Sequence, residues 1–81
     1  MPAHSRAMLE QMLPAAENRV ARGAERIRAQ EARVAALERK GLAEQSKTLL
    51  ALMKQTQALQ MDHVELLKRE LAESGFGHGD A

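Results

Sequence analysis

The fold is decided by one short stretch of sequence, Leu37-Glu38-Arg39-Lys40-Gly41-Leu42. Two cations before a glycine suit the negative end of a helix dipole, and glycine readily adopts the positive φ of the residue that ends a helix. With Gly41 in that position, Leu37 and Leu42 stand where the apolar contact of a Schellman cap forms. The stretch therefore predicts the end of one helix and a reversal into another.

The first helix is predicted to begin at Pro14, because proline fits a first helical turn but costs about 3 kcal/mol in a helix interior. Ser5 is the predicted N-cap of a short turn before it, and residues 1–13 are expected to form a flexible or short helical segment. Gly23 lies in mid-helix, which indicates a close approach by a neighbouring helix. The apolar stripe of this helix consists of Leu13, Ala16, Val20, Gly23, Ile27, Gln30, Val34 and Leu37.

The second helix is predicted from Ala43 or Glu44 to about Ser74, because apolar residues keep a helical period throughout this range. A second Schellman cap is expected at Gly75, and residues 75–81 are expected to form a flexible tail. The apolar face of this helix is wide. The stripe of the first helix cannot cover all of it, because half of the residues in that stripe are small or polar. The edge left uncovered consists of Leu52, Leu59 and Leu66.

These features predict an all-α fold, an antiparallel helical hairpin over residues 14–74 with its turn at about 41–43. Pairing residues whose numbers sum to about 83 places Ala16 beside Leu67 and Ile27 beside Thr56, so that small residues face large ones. One unbroken helix through Gly41 is the alternative, because the apolar stripe stays on one side of it as well. Polar residues on or beside the stripe are expected to fix the register between helices: Gln30, Thr56, Gln57 and Gln60.

Composition limits the classes of protein that the chain can be. Its 81 residues form one small domain at most, and so short a chain buries little apolar surface, which favours association into a helical bundle or coiled coil. There is no cysteine, no apolar run long enough for a membrane span and no secretory signal, so a cytoplasmic location is expected. A net charge of +1 favours neither nucleic-acid binding nor acidic mimicry.

No pattern of residues predicts an enzyme. The sequence has no cysteine nucleophile, no glycine-rich phosphate loop and no serine beside a credible base, so no catalytic residue and no cofactor is predicted. His4, His63 and His78 are far apart in the chain, and a metal site is not predicted either. His63 lies on the apolar face of the second helix and is expected at an interface between helices.

A basic ridge is predicted on the first helix, where five cations fall within about 60° of one another. Such a ridge could follow the phosphates of a nucleic acid or an anionic membrane surface. The more ordinary interpretation is that the arginine stems cover the edge of the core while their heads pair with Glu65, with Glu70 or with the acids of a partner. The ridge consists of Arg19, Arg22, Arg26, Arg33 and Lys40.

The pattern of small and apolar residues resembles that of a set of small bacterial hypothetical proteins of helical-hairpin type, which carry no defined function. Those proteins often have histidine where this chain has Arg19 and Arg26, and a polar helix cap where it has Leu42 and Ala43. The resemblance implies a packing arrangement rather than a chemistry. The residues that carry it are Ala16, Glu17, Val20, Ala21, Gly23, Ile27, Gln30, Leu37, Glu38, Arg39 and Gly41, and more weakly Leu49, Leu50, Ala51, Leu67, Arg69, Glu70 and Leu71.

The sequence therefore predicts a small non-enzymatic interaction or regulatory protein whose main partner is a second copy of itself. Its interface is expected at Leu52, Leu59, His63 and Leu66. Another protein is a possible partner. A sequence-independent nucleic-acid or anionic-surface binder that uses the basic ridge is the alternative, which is less favoured because the chain offers no aromatic platform for stacking bases.

Overall fold

The protein is an all-α helical hairpin, as its computed structural model shows for residues 4–79. Two helices, α1 (Arg6–Glu38) and α2 (Glu44–Gly79), pack side by side in opposite directions. The molecule is a rod with dimensions of 64 × 16 × 13 Å. The predicted hairpin is confirmed, and the alternative of one unbroken helix is wrong because the chain reverses at residues 39–43.

The turn has the hydrogen-bond pattern of a Schellman cap. Gly41 has a φ of +72°, the Leu42 N–H donates to the Leu37 carbonyl at 2.9 Å, and the Gly41 N–H donates to the Glu38 carbonyl at 3.0 Å. The Leu42 side chain remains 67% exposed, so the backbone contributes more to this cap than the apolar contact does. Ala43, which is buried, accepts the first hydrogen bond of α2 from the Lys47 N–H at 2.8 Å.

α1 begins earlier than predicted, because residues 6–13 belong to it and Pro14 lies in its interior. Ser5 is the N-cap, as predicted, and its Oγ accepts a hydrogen bond from the Met8 N–H at 3.2 Å. Leu9 is completely buried against α2. Burial of a leucine stabilises by roughly 1.5–3 kcal/mol, so Leu9 and its neighbours Met12 and Leu13 together offset the cost of an interior proline.

α2 ends later than predicted. It continues through Gly75 to Gly79, so the cap predicted at Gly75 is wrong and the predicted tail is helical as far as Gly79. Glycine inside a helix costs only about 1 kcal/mol, and it ends a helix where a following element requires the chain to turn. At Gly41 that element is α2, whereas no further element follows Gly75 among the described residues. The last part of the predicted tail, residues 80–81, lies outside them.

The core lies at the open end of the hairpin, far from the turn. It contains the predicted neighbours Ala16 and Leu67. Toward the turn the buried side chains are fewer and smaller, Val34 and Ala43 being the apolar ones. The core cluster consists of Leu9, Ala16, Val64 and Leu67, with Met12, Leu13, Val20 and Leu71 packed against it.

Two glutamines cross between the helices in opposite directions. Gln30 of α1 is only 6% exposed and donates from Nε2 to the Ser46 carbonyl at 3.0 Å, while Gln57 of α2 donates from Nε2 to the Val20 carbonyl at 2.8 Å. A Cβ at Gly23 would overlap with the Gln57 Oε1 and lie 3.0 Å from its Cδ. Gly23 therefore makes room for the glutamine that holds the two helices in register.

Candidate interaction surface

A row of exposed leucines runs along α2. Leu52, Leu59 and Leu66 are 55%, 69% and 49% exposed, and their seven-residue spacing places them on one side of the helix. His63 is half-buried on the same side. α1 leaves this leucine row uncovered, so these predicted interface residues follow one another along one side of α2.

An open groove lies between the leucine row and α1, with a volume of about 440 Å³. Gly23 of α1 and Gln57 of α2 also line it, so the groove reaches down to the contact between the helices. We call it the basic groove. Its lining includes three arginines of α1 and three apolar residues of α2: Arg19, Arg22, Arg26, Leu49, Leu52 and Met53. Ile27 of α1 and the polar residues Thr56 and Gln60 of α2 complete it.

The arginines of this groove form no ion pair with a carboxylate in residues 4–74, the range whose side chains the structure describes. The same holds for Arg33 and Lys40, the other members of the ridge. The acids expected to neutralise them have different partners. The Glu65 carboxylate lies 3.6 Å from the Lys68 Nζ, and the Glu70 carboxylate lies 3.3 Å from the His4 Nδ1. The ridge therefore does not pair with Glu65 or Glu70, and its pairing with the acids of a partner stays a prediction.

Two ion pairs join the helices in the half of the hairpin nearer the turn, on another side of α1. Glu38 pairs with Lys47 at 3.6 Å and Glu31 pairs with Lys54 at 3.7 Å. At 100° per residue these two acids lie about 100–120° around α1 from Arg19, the nearest arginine of the groove. One flank of the hairpin is therefore charge-compensated, and the other presents cations beside leucines.

A second groove, with a volume of about 470 Å³, has the opposite charge balance. We call it the acidic groove. Its floor includes Val20 and Val64, and its rim has more acids than bases. It is lined by Glu17, Val20, Ala21, Met61, Asp62, Val64, Glu65 and Lys68.

The histidines and acids are dispersed along the rod. In the described part of the chain, no three residues of the metal-ligating types come together. His4 contacts Glu70, His63 lies in mid-helix, and the side chain of His78 lies outside the described set. Neither helix, over its described residues, combines the length and apolar character that a membrane crossing requires.

Sequence reasoning identified the leucine row and the ridge but missed the groove that joins them. Gly23 was the available signal, since a glycine in mid-helix indicated a close neighbour. Identifying that neighbour as Gln57 required the relative rotation of the two helices, which periodicity leaves open by tens of degrees. The contact between His4 and Glu70 had no signal, because the segment before Pro14 was not expected to pack.

The resemblance to small bacterial hairpin proteins remains a prediction. In comparisons with known proteins, no protein-family model, no curated protein and no solved structure matches this chain.

Proposed function

We propose that this protein is a small cytoplasmic interaction protein without enzymatic activity, which associates with a second copy of itself through the leucine row. The observation that carries the proposal is the exposure of Leu52, Leu59 and Leu66 along one side of α2. Complete burial of a leucine stabilises by roughly 1.5–3 kcal/mol, and about half of each side chain remains to be buried. The three together contribute about 2–5 kcal/mol, a large share of the stability of a small domain.

The spacing of the row supports contact between two α2 helices. Leucines seven residues apart fill one of the two seam positions of each coiled-coil heptad, and an antiparallel pair centred on Leu59 would set Leu52 against the partner's Leu66. His63 lies beside the seam, where its ring nitrogens can donate or accept a hydrogen bond across it.

The charge of α1 restricts how the two hairpins meet. If both α1 helices faced each other, the basic ridge of one copy would oppose that of the other, and like charges across an interface are unfavourable. Contact through α2 alone leaves Arg22 and Arg26 at the rim, where their heads stay in water while their stems cover the edge of the apolar patch.

Leu59→Lys tests this proposal, with Leu42→Lys as the matched control because Leu42 is equally exposed but lies at the turn, outside the row. Sedimentation equilibrium of the unaltered chain should show a mass above that of the monomer, and its Tm should rise with protein concentration. Leu59→Lys should shift the protein to monomer and lower its Tm, and Leu42→Lys should change neither by much. A monomer at high micromolar concentration with a concentration-independent Tm would contradict self-association.

A further inference from the structure

We propose that the basic groove binds a helix of another protein, one that carries acidic residues along the edge of its apolar face. The helix would lie between α1 and α2 and complete a three-helix bundle. This proposal does not rest on self-association. Of the three apolar side chains that line the groove, Leu49, Leu52 and Met53, only Leu52 also belongs to the leucine row, so a helix in the groove would compete with a second copy at that residue.

The first step of the argument is charge. Arg19, Arg22 and Arg26 follow one another at helical spacing on one wall of the groove, and none of them has a carboxylate partner within the side chains that the structure describes. Successive guanidinium groups are therefore separated by about one helical turn along α1, or roughly 5 Å. Aspartate or glutamate at every third or fourth residue of an incoming helix has the same repeat. Such a helix would supply carboxylates to these arginines. The hairpin's own Glu31 and Glu38 lie on the other flank and pair with lysines there.

The second step is the apolar wall. Leu49 and Leu52 are 47% and 55% exposed, and Met53 is half-buried beside them. A phosphate backbone offers no apolar surface to cover these side chains, whereas the apolar face of an amphipathic helix does. Charge on one wall and leucine on the other therefore favour a helical partner over a nucleic acid.

The third step is shape. A groove between two packed helices is the seat that a third helix occupies in a helical bundle. The Gln57 side chain fills the space above Gly23, and together these two residues line the groove where α1 and α2 meet. A flat anionic membrane would contact the arginine heads and the leucine tips but would leave this part of the groove open. The concavity therefore favours a helix over a lipid surface.

The test uses two labelled peptides of about 20 residues, long enough to hold helical structure. Both have the same face of leucine and alanine, and one carries glutamate along the edge where the other carries lysine. Fluorescence anisotropy with the full chain should show binding of the acidic peptide alone. Its affinity should fall at least about tenfold between roughly 50 and 300 mM salt, because exposed charges are screened.

Arg22→Glu should weaken binding of the acidic peptide by at least about fivefold, because it places a like charge in the wall of the groove. Arg28→Glu is the matched control. It makes the same change of charge at an exposed residue of α1 that does not line the groove, and it should alter the affinity less than about twofold. Leu59→Lys should not weaken peptide binding, because Leu59 does not line the groove and the loss of self-association leaves Leu52 free, which separates this proposal from self-association. Circular dichroism establishes that each variant remains helical.

Four results would overturn the proposal. They are equal binding of the acidic and basic peptides, no binding of the acidic peptide, equal losses in Arg22→Glu and Arg28→Glu, and tighter binding of a polyanion. The last is measured with a mixed-sequence DNA duplex and with vesicles containing phosphatidylserine. If either binds more tightly than the acidic peptide, and if Arg22→Glu weakens that binding, the arginines bind phosphate groups instead.

Discussion

Gly41 has a conformation that other residues adopt at a cost. Its φ is +72°, and a Cβ placed there would meet nothing within 4 Å, so any penalty of substitution arises from the backbone alone. Gly41→Ala should lower the free energy of unfolding by about 1 kcal/mol, and Gly41→Val by about 1–2 kcal/mol. Gly41→Asn should cost less than either, because asparagine tolerates this region. Urea denaturation measures all three, and a gain in stability for Gly41→Ala would be incompatible with the turn.

Gly23 and Gln57 are energetically coupled. Alanine at Gly23 gains up to about 1 kcal/mol of helix propensity, but its Cβ would displace the Gln57 amide and break the hydrogen bond to the Val20 carbonyl, worth about 0.5–1.5 kcal/mol. Gly23→Ala alone should therefore change stability by less than about 0.5 kcal/mol.

A double-mutant cycle tests this coupling. In a Gln57→Ala background the overlap is gone, and Gly23→Ala should stabilise by about 1 kcal/mol. The same stability change for Gly23→Ala in both backgrounds would show that Gln57 does not fill the space above the glycine.

At the scale of the element, Pro14 interrupts the hydrogen bonds of a helix that continues on both sides of it. Pro14→Ala supplies the missing N–H and removes the clash of the proline ring with the preceding turn. We expect it to stabilise the protein by about 1–3 kcal/mol, as seen by thermal unfolding, and to raise its helical ellipticity. A neutral or destabilising effect would show that the helix begins at Pro14.

The helices themselves could largely be predicted from sequence, and their ends only in part. Gly41 and Ser5 carry local signals for helix caps, and both form caps in the structure. Pro14 and Gly75 carry equally local signals for a helix start and a helix end, but the helices continue through both residues. At Pro14 the reason is tertiary, because Leu9 is buried by residues of α2 more than fifty positions away. Local propensity contains no information about such contacts.

The interaction surface could be predicted to a similar extent. The leucine row and the basic ridge follow from periodicity within one helix each. The three leucines are exposed, and Arg19, Arg22 and Arg26 of the ridge line one groove with Leu52. Their meeting in one groove depends on how α1 is rotated against α2. The pairing of Glu31 and Glu38 with lysines of α2 depends on the same rotation, and it places these acids away from the basic flank.

At the scale of the whole molecule, the core makes the N-terminal segment essential to stability. Leu9→Ala should cost about 2–5 kcal/mol, because it leaves a cavity in the part of the rod where buried side chains are largest. Leu42→Ala is the control and should cost less than about 0.5 kcal/mol, since that side chain is 67% exposed. Equal effects of the two substitutions on urea denaturation would mean that residues 6–13 do not pack on α2.

The distance between the turn and the core imposes an order on folding. Bringing Leu9 to Leu67 before the turn has formed would close a loop of about 58 residues, which costs about 2 kcal/mol more chain entropy than closing the turn itself. We therefore expect folding to start at Gly41 and to proceed toward the open end, so that the core forms last. Interactions that form after the transition state govern the unfolding rate, so Leu9→Ala should accelerate unfolding and barely slow refolding in stopped-flow measurements. The kinetic lifetime of the hairpin thus depends on the end of the molecule farthest from the turn that creates it.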